Sequence, residues 1–143
     1  MNQHFSSLKL IPVAMFAIIP SVAFADWVEI DPSEGRTFQM FYESPSIKRV
    51  GDISTIKILK NFKSPQFSID PNKSYTFKST TSIQEIKCAE FKYRNLEINM
   101  WSELNGTGKM EQSHNYAAKN YWGEIVKMTS IESVVISKAC QKG

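Results

Sequence analysis

Apolar and polar residues alternate through most of the stretch from Trp27 to about Ser113, and short groups of turn residues interrupt the alternation. A period of two is typical of half-buried antiparallel strands, because successive side chains of a strand point to opposite faces of its sheet. The pattern therefore predicts antiparallel strands that cover residues 27–30, 37–43, 53–62, 75–90, 91–104 and 109–113.

The connections between these strands carry recognisable turn residues. Asn105-Gly106-Thr107-Gly108 is a strong hairpin signal, because asparagine and glycine tolerate positive φ angles. Proline and glycine punctuate the remainder of the chain. We expect turns at residues 31–35 and 50–52, a strand end at Pro45, a looser stretch around Pro65 and Pro71, and an irregular connection at residues 115–127.

Several sets of side chains should each share one face of the sheet, since every second residue of a strand points the same way. The sets are Phe38, Met40 and Tyr42; Ile56 and Ile58; Gln84, Ile86 and Cys88; and Leu96, Ile98 and Met100. A sheet with an apolar face needs a covering layer.

The carboxy terminus supplies that layer, because its period changes to that of a helix. Thr129 with Glu132, or Ser130 alone, can cap the helix start. The apolar arc consists of Ile131, Val134, Val135, Ile136, Ala139 and Cys140. The predicted fold class is thus α+β, with one terminal helix packed on an antiparallel sheet.

The first 25 residues have the three-part layout of a cleavable export signal. Polar residues end on the cation Lys9, an apolar run from Leu10 to Pro20 follows, and Ala23-Phe24-Ala25 closes the segment. The alternative, a short buried helix, is disfavoured by Pro12 and Pro20. We expect cleavage after Ala25, which leaves a mature domain at residues 26–143.

The apolar run of the signal is about half as long as the roughly twenty residues that a membrane-spanning helix needs. We therefore expect no membrane span. Asp26, not cysteine, stands at the predicted mature start, so we expect no amino-terminal lipid anchor.

Cys88 and Cys140 are the only cysteines of the chain. An exported chain meets an oxidising compartment, so two cysteines with no third competitor predict a disulfide. Their spacing is far from C-x-x-C, which favours a structural bridge over a redox role.

Charge argues against nucleic acid as a partner. The whole chain has a net charge of +3, and loss of Lys9 with the signal lowers it to +2. Nucleic-acid binding needs cations clustered on one face. The nearest cluster, Lys57, Lys60 and Lys63, is more easily explained as a solvated strand edge.

Candidate catalytic chemistry is sparse, and we predict neither an enzyme nor a bound metal or cofactor. Only His114 remains after signal removal, so a Ser-His-Asp triad or a histidine-rich metal site is hard to build. Gly106-Thr107-Gly108 lacks the remainder of a phosphate-binding loop and is better explained as the hairpin. Carboxylate pairs that only folding brings together stay open as acid–base candidates.

Aromatic residues suggest a binding face. Strict alternation places Phe91, Tyr93 and Trp101 opposite Leu96, Ile98 and Met100, away from the predicted helix. Tyrosine and tryptophan commonly anchor protein interfaces. The alternative is that loops, or the segment from Tyr116 to Trp122, cover this aromatic row.

These features together resemble the surface-adhesin E family of small exported bacterial domains, and the resemblance covers nearly the whole mature chain. The matching pieces, in order, are Ala25 to Glu29, Glu85 to Cys88, Tyr93 to Leu96, Asn105 to Lys109, Trp122, and a terminal helix that opens at Ser130 and closes at Cys140. The resemblance implies about six antiparallel strands with the helix disulfide-linked to them. It also implies binding to host extracellular-matrix and serum proteins without catalysis.

Three functional hypotheses follow. The leading one is an exported protein-binding module whose candidate role is adhesion to host matrix or serum proteins, either secreted or at the outer surface. The alternative is a periplasmic structural or envelope-associated domain without an adhesive role, with a homodimer formed through an exposed sheet edge. The third is a hydrolase with an unrecognised site.

Overall fold

The computed structural model describes residues 26–30, 36–68, 70–124 and 131–141. Three predictions lie outside these residues: the signal peptide at residues 1–25, the turn at residues 31–35, and the helix cap at Thr129 or Ser130.

The described residues form eight strands and one α-helix. They are β1 (Trp27–Glu29), β2 (Phe38–Glu43), β3 (Lys48–Val50), β4 (Ile53–Phe67), β5 (Thr76–Lys87), β6 (Lys92–Trp101), β7 (Met110–Asn115), β8 (Gly123–Glu124) and α1 (Ile131–Gln141).

Six strands make one antiparallel sheet in the order β1-β2-β4-β5-β6-β7, with β3 paired to β4 and β8 paired to β6. Neighbours in the sheet are close neighbours in sequence, as short hairpin connections require. The predicted α+β class, with its antiparallel sheet and terminal helix, is confirmed.

The core lies between α1 and one face of the sheet, which we call the helix face. The helix contributes Ile131, Val135, Ile136 and Ala139, and the sheet contributes Met40, Ile56, Ile58 and Ile86. Phe38 and Tyr42 pack against this cluster, so the predicted face of β2 is confirmed. Full burial of one such aliphatic side chain stabilises the fold by about 1.5–3 kcal/mol.

Polar contacts at the end of α1 complete its attachment. The buried Ser54 hydroxyl donates to the Ala139 carbonyl at 2.8 Å, and Arg49 Nη1 donates to the Cys140 carbonyl at 2.8 Å. The last carbonyls of a helix have no partner within the helix. The sheet therefore satisfies two of them.

A disulfide joins the carboxy-terminal part of α1 to the turn after β5, as predicted. Cys88 and Cys140 lie 52 residues apart in sequence, with their Cα atoms 5.7 Å apart. This bridge closes a loop that contains β6, β7, β8 and most of α1.

The looser stretch predicted around Pro65 is wrong, because β4 continues through it to Phe67. The register of β4 against β5 shifts between Asn61 and Gln66. Proline lacks an N–H group and is tolerated in a sheet at such an irregularity. Pro65 lies within this interval and therefore does not end the strand.

Two further elements correct the predicted organisation. Lys48–Val50 forms a strand that pairs with β4 around Gly51, whose φ is +61°. Gly123–Glu124, expected within an irregular connection, pairs with Tyr93 and Lys92 of β6. Tertiary pairing, not local periodicity, defines both short strands.

The predicted solvated lysine edge is also wrong, since β4 lies inside the sheet between β2 and β5. Lys57 contacts Trp27 on one side of β4, while Lys60 borders a cleft under α1 on the other. Only Lys63 of the three is exposed.

Loss of the disulfide should release the helix before the sheet. The double substitution Cys88→Ser and Cys140→Ser is expected to lower the free energy of unfolding by about 4 kcal/mol, because the unfolded chain regains the entropy of a large loop. Urea denaturation gives the stability, and hydrogen exchange should accelerate first in residues 131–141. Unchanged exchange in the helix would contradict this account.

Candidate protein-binding surface

All three tryptophans of the chain lie on the sheet face opposite α1, which we call the tryptophan face. Trp27 pairs with Glu43 of β2, and Trp101 pairs with Ser79 of β5. Both partners alternate with residues of the helix face. Trp122 reaches this face from the segment that precedes β8, where it contacts Lys87 and Arg94.

Trp27 is held by a charged pair on the neighbouring strands. The Lys57 ammonium lies 5.4 Å from the centroid of the Trp27 ring, and 3.6 Å from a carboxylate oxygen of Glu43. A cation over an indole ring is attracted by the negative face of the ring. Three strands thus position this tryptophan.

Trp122 contacts two cations. The Lys87 ammonium lies 4.6 Å and the Arg94 guanidinium carbon 4.9 Å from the centroid of its ring. Arg94 also forms two short contacts with Glu85, at 2.7 Å from Nε and 2.6 Å from Nη2. Such a two-nitrogen ion pair fixes the plane of the guanidinium group.

Trp101 is anchored to β5 and lies beside the loop that links β6 to β7. Its indole nitrogen donates to Thr81 Oγ1 at 2.9 Å. A Cβ added to Gly106 would lie 2.8 Å from the Thr81 methyl group and 3.8 Å from the Trp101 nitrogen. The loop therefore folds onto the tryptophan face beside Trp101, and the close approach requires glycine.

Buried polar residues hold this loop in place. Asn61 donates to Asn105 Oδ1 at 2.7 Å and accepts from the Asn105 backbone at 2.8 Å. The hydroxyl of Ser79 accepts from the Gly106 backbone at 3.0 Å. Asn105 has a φ of +62°, as the predicted hairpin chemistry requires. The position of the loop thus depends on side chains from β4 and β5.

A groove of about 420 Å³ lies on the same face next to Trp27. Thr55, Lys57 and Ile83 form part of its lining, together with Glu43, Pro45, Ser46 and Lys48. The groove combines apolar surface with charges of both signs, and it can receive a partner side chain.

The predicted row of Phe91, Tyr93 and Trp101 does not exist as one face. Ile83 pairs with Glu97 whereas Gln84 pairs with Asn95, so Leu96 is an extra residue in β6. Such a bulge reverses the alternation of side chains. Trp101 keeps its predicted face, but Tyr93 changes to the helix face.

The other two residues of that row occupy different surroundings. Tyr93 packs against the core cluster beneath α1. Phe91, with a φ of +54°, is 52% exposed and lies beside the helix in a groove of about 540 Å³ that Val134 and Cys140 also line. A role for either side chain in protein binding stays a prediction.

Sequence reasoning missed two of the three tryptophans of this face. Trp27 alternates with Val28, but the strand is too short for its pattern to choose a face. Trp122 lies in a segment without periodicity. The adjacent aromatic residue Tyr121 is the only sequence signal there for a binding surface. Arg94, one of the two cations beside Trp122, was also missed, because the bulge in β6 changes the face on which its side chain lies.

Neither a metal centre nor a membrane helix occurs in the part of the chain that the structure describes. It holds no group of three or more histidine, cysteine, aspartate or glutamate side chains placed to bind a metal ion. None of the described helical residues forms a segment long and apolar enough to cross a bilayer. The His114 ring stacks on Tyr116, with 5.8 Å between ring centroids.

Comparison with known proteins gives a matching family and similar solved structures. The family described as surface-adhesin protein E matches residues 27–141. No curated protein matches the chain.

The similar solved structures include several of protein E from Haemophilus influenzae. A selenomethionine form is 13% identical, with a TM-score of 0.51 over 72% of this chain and 79% of that chain. Protein E from a non-typeable strain is 12% identical, with a TM-score of 0.52 over 86% of this chain and 83% of that chain. At such identity the likeness shows the fold alone.

Removal of the Asn61 side chain should destabilise the loop beside Trp101. Asn61→Ala is expected to lower the free energy of unfolding by about 1–3 kcal/mol, because it removes two hydrogen bonds and leaves partly buried groups of Asn105 without partners. Ser64→Ala, at an exposed position of the same strand, serves as the control. Equal urea midpoints for the two variants would refute the proposed anchor.

Proposed function

Because this chain belongs to the surface-adhesin protein E family, we propose that it is an exported, non-enzymatic protein-binding module that uses the tryptophan face. The candidate partners are host extracellular-matrix and serum proteins. Membership of the family supports a surface or exported protein, while the partner and the face are our proposals.

The observation that carries the proposal is the placement of all three tryptophans on one side of the sheet, each with a polar or cationic partner. Tryptophan, tyrosine and arginine dominate the binding energy of many protein interfaces. Among the described residues, the core beneath the helix contains no tryptophan. Packing of that core therefore does not explain why the tryptophans share the opposite face.

The cluster of Trp122, Arg94 and Glu85 is the best candidate for an energetic centre. The side chains of Arg94 and Glu85 are only 18% and 23% exposed, and their ion pair fixes the guanidinium group against the Trp122 ring. Side chains that are already ordered lose little conformational entropy when a partner binds. The groove beside Lys57 lies on the same face and extends the surface that a partner can contact.

Substitution of this cluster should weaken binding much more than substitution of an exposed aromatic residue beside the helix. Trp122→Ala is expected to raise the Kd for a matrix or serum protein by about 30-fold, the change that corresponds to a hot spot of 2 kcal/mol. Phe91→Ala is the matched control, because Phe91 is exposed next to α1. Surface plasmon resonance on a panel of immobilised matrix proteins gives both values.

If Trp122→Ala leaves binding intact and Phe91→Ala abolishes it, the tryptophan face is not the binding surface. That result would favour the groove beside the helix. Arg94→Gln tests the contribution of charge while the Trp122 ring stays in place, since it removes the pair with Glu85 and one of the two cations beside Trp122. Circular dichroism of each variant verifies that the sheet is intact.

We also propose that residues 1–25 are a signal peptide and that the mature chain begins at Asp26. The mass of the exported protein should equal that of residues 26–143 with one disulfide. Protease treatment of intact cells should digest the chain if it is displayed on the surface. A protein protected from protease until the outer envelope is permeabilised would instead place it in the periplasm and remove the adhesive role.

The edge of the sheet supports the alternative of a periplasmic, self-associating domain. Among the described strands, β7 pairs only with β6, so its other side is an open edge. Open edges can pair with a second chain. Light scattering gives the oligomeric state. A dimeric wild-type chain that becomes monomeric in the Ser113→Pro variant would support this alternative.

A further inference from the structure

A small polar cleft lies on the helix side of the sheet, apart from the tryptophan face. Its volume is about 150 Å³, and it opens between the first turn of α1 and strands β4 to β6. Met40, Ile58, Ile98 and Val135 form its apolar floor. The polar groups around it are Lys60, Thr80, Ser82, Gln84, Tyr93, Asn95 and Glu132.

Two opposite charges border this cleft. Burial lowers the pKa of Lys60, and the nearby Glu132 carboxylate partly offsets that effect by raising it. The two side chains both line the cleft, yet they form no direct ion pair within the described part of the chain. The cleft is therefore bordered by one cationic and one anionic side chain, and the Lys60 ammonium also lies 5.1 Å from the centroid of the Phe38 ring.

The uncharged walls supply further hydrogen-bonding groups. Hydroxyl groups come from Thr80, Ser82 and Tyr93. The Gln84 amide nitrogen donates to Asn95 Oδ1 at 3.0 Å, which orients both amides in the wall. A cleft of this composition can bind a polar ligand in a defined orientation.

A second cavity adjoins the first, because Asn95 and Ile98 line both. Its volume is about 330 Å³, and Tyr116, Lys119 and Tyr121 complete its lining. The first cavity is smaller and bordered by two opposite charges, whereas the second is larger and bordered by Lys119 and two tyrosine rings.

We propose that these adjoining cavities bind a small zwitterion of the α-amino-acid class. Its carboxylate lies at Lys60, its ammonium at Glu132, and its side chain extends past Ile98 toward Tyr116. This binding is independent of the protein-binding role proposed above.

Charge and size select this ligand class. A simple anion at Lys60 is repelled by Glu132, and a simple amine at Glu132 is repelled by Lys60, whereas a zwitterion satisfies both. At roughly 30 Å³ for one water-sized group, a cleft of about 150 Å³ accommodates about five such groups. The head group of an amino acid has five non-hydrogen atoms.

Titration of the mature chain with L-phenylalanine, followed by NMR, tests the proposal. We expect saturable shifts at Tyr93, Asn95, Ile98 and Val135. N-acetyl-L-phenylalanine lacks the ammonium group and L-phenylalaninamide lacks the carboxylate, so both should bind about 10-fold more weakly, a loss of one charged contact.

Variants assign the two ends of the ligand. Lys60→Gln should weaken L-phenylalanine binding about 10-fold, and so should Glu132→Gln, while Lys63→Gln at an exposed position of β4 should leave it unchanged. N-acetyl-L-phenylalanine has no ammonium to lose a contact, so Glu132→Gln should not weaken its binding and should strengthen it by removing the repulsion between Glu132 and a simple anion. The absence of saturable shifts in the wild-type chain, or equal binding of all three compounds, overturns the proposal whether or not the variants fold.

Discussion

The docking of α1 on one face of the sheet is the constraint on which the remainder of this structure depends. Ile131, Val135 and Ala139 bury the apolar side of the helix, and the bridge from Cys140 to Cys88 holds its end against the strands. A helix of 11 residues is marginal in water by itself. The sheet and the disulfide stabilise the helix, and the helix makes the two faces of the sheet chemically different.

That difference separates two kinds of surface. Beneath the helix, aliphatic side chains form the core, and the polar cleft around Lys60 interrupts it. On the opposite face, two of the three tryptophans lie against cations, and an ion pair joins Arg94 to Glu85. Because the two surfaces share strands but not side chains, each can change in sequence with little effect on the other.

The bulge at Leu96 decides which side chains of β6 belong to which surface. Without the extra residue, Tyr93 and Trp101 would lie on the same face, since strict alternation relates them. With it, Tyr93 packs toward the core and Trp101 contacts Thr81 on the other side. One inserted residue therefore redistributes the aromatic side chains between the core and the candidate binding surface.

Local sequence patterns by themselves determined the fold class, the six strands of the main sheet path, the terminal helix and the disulfide. Alternation, helical periodicity and cysteine count are properties of neighbouring residues or of composition, so they can be recognised without coordinates. Tertiary structure alone decided the bulge, the continuation of β4 through Pro65, and the gathering of Trp27 and Trp122 on one face. These features depend on the register between strands that are distant in sequence. The free energy of pairing across the sheet selects that register, and no local pattern contains it.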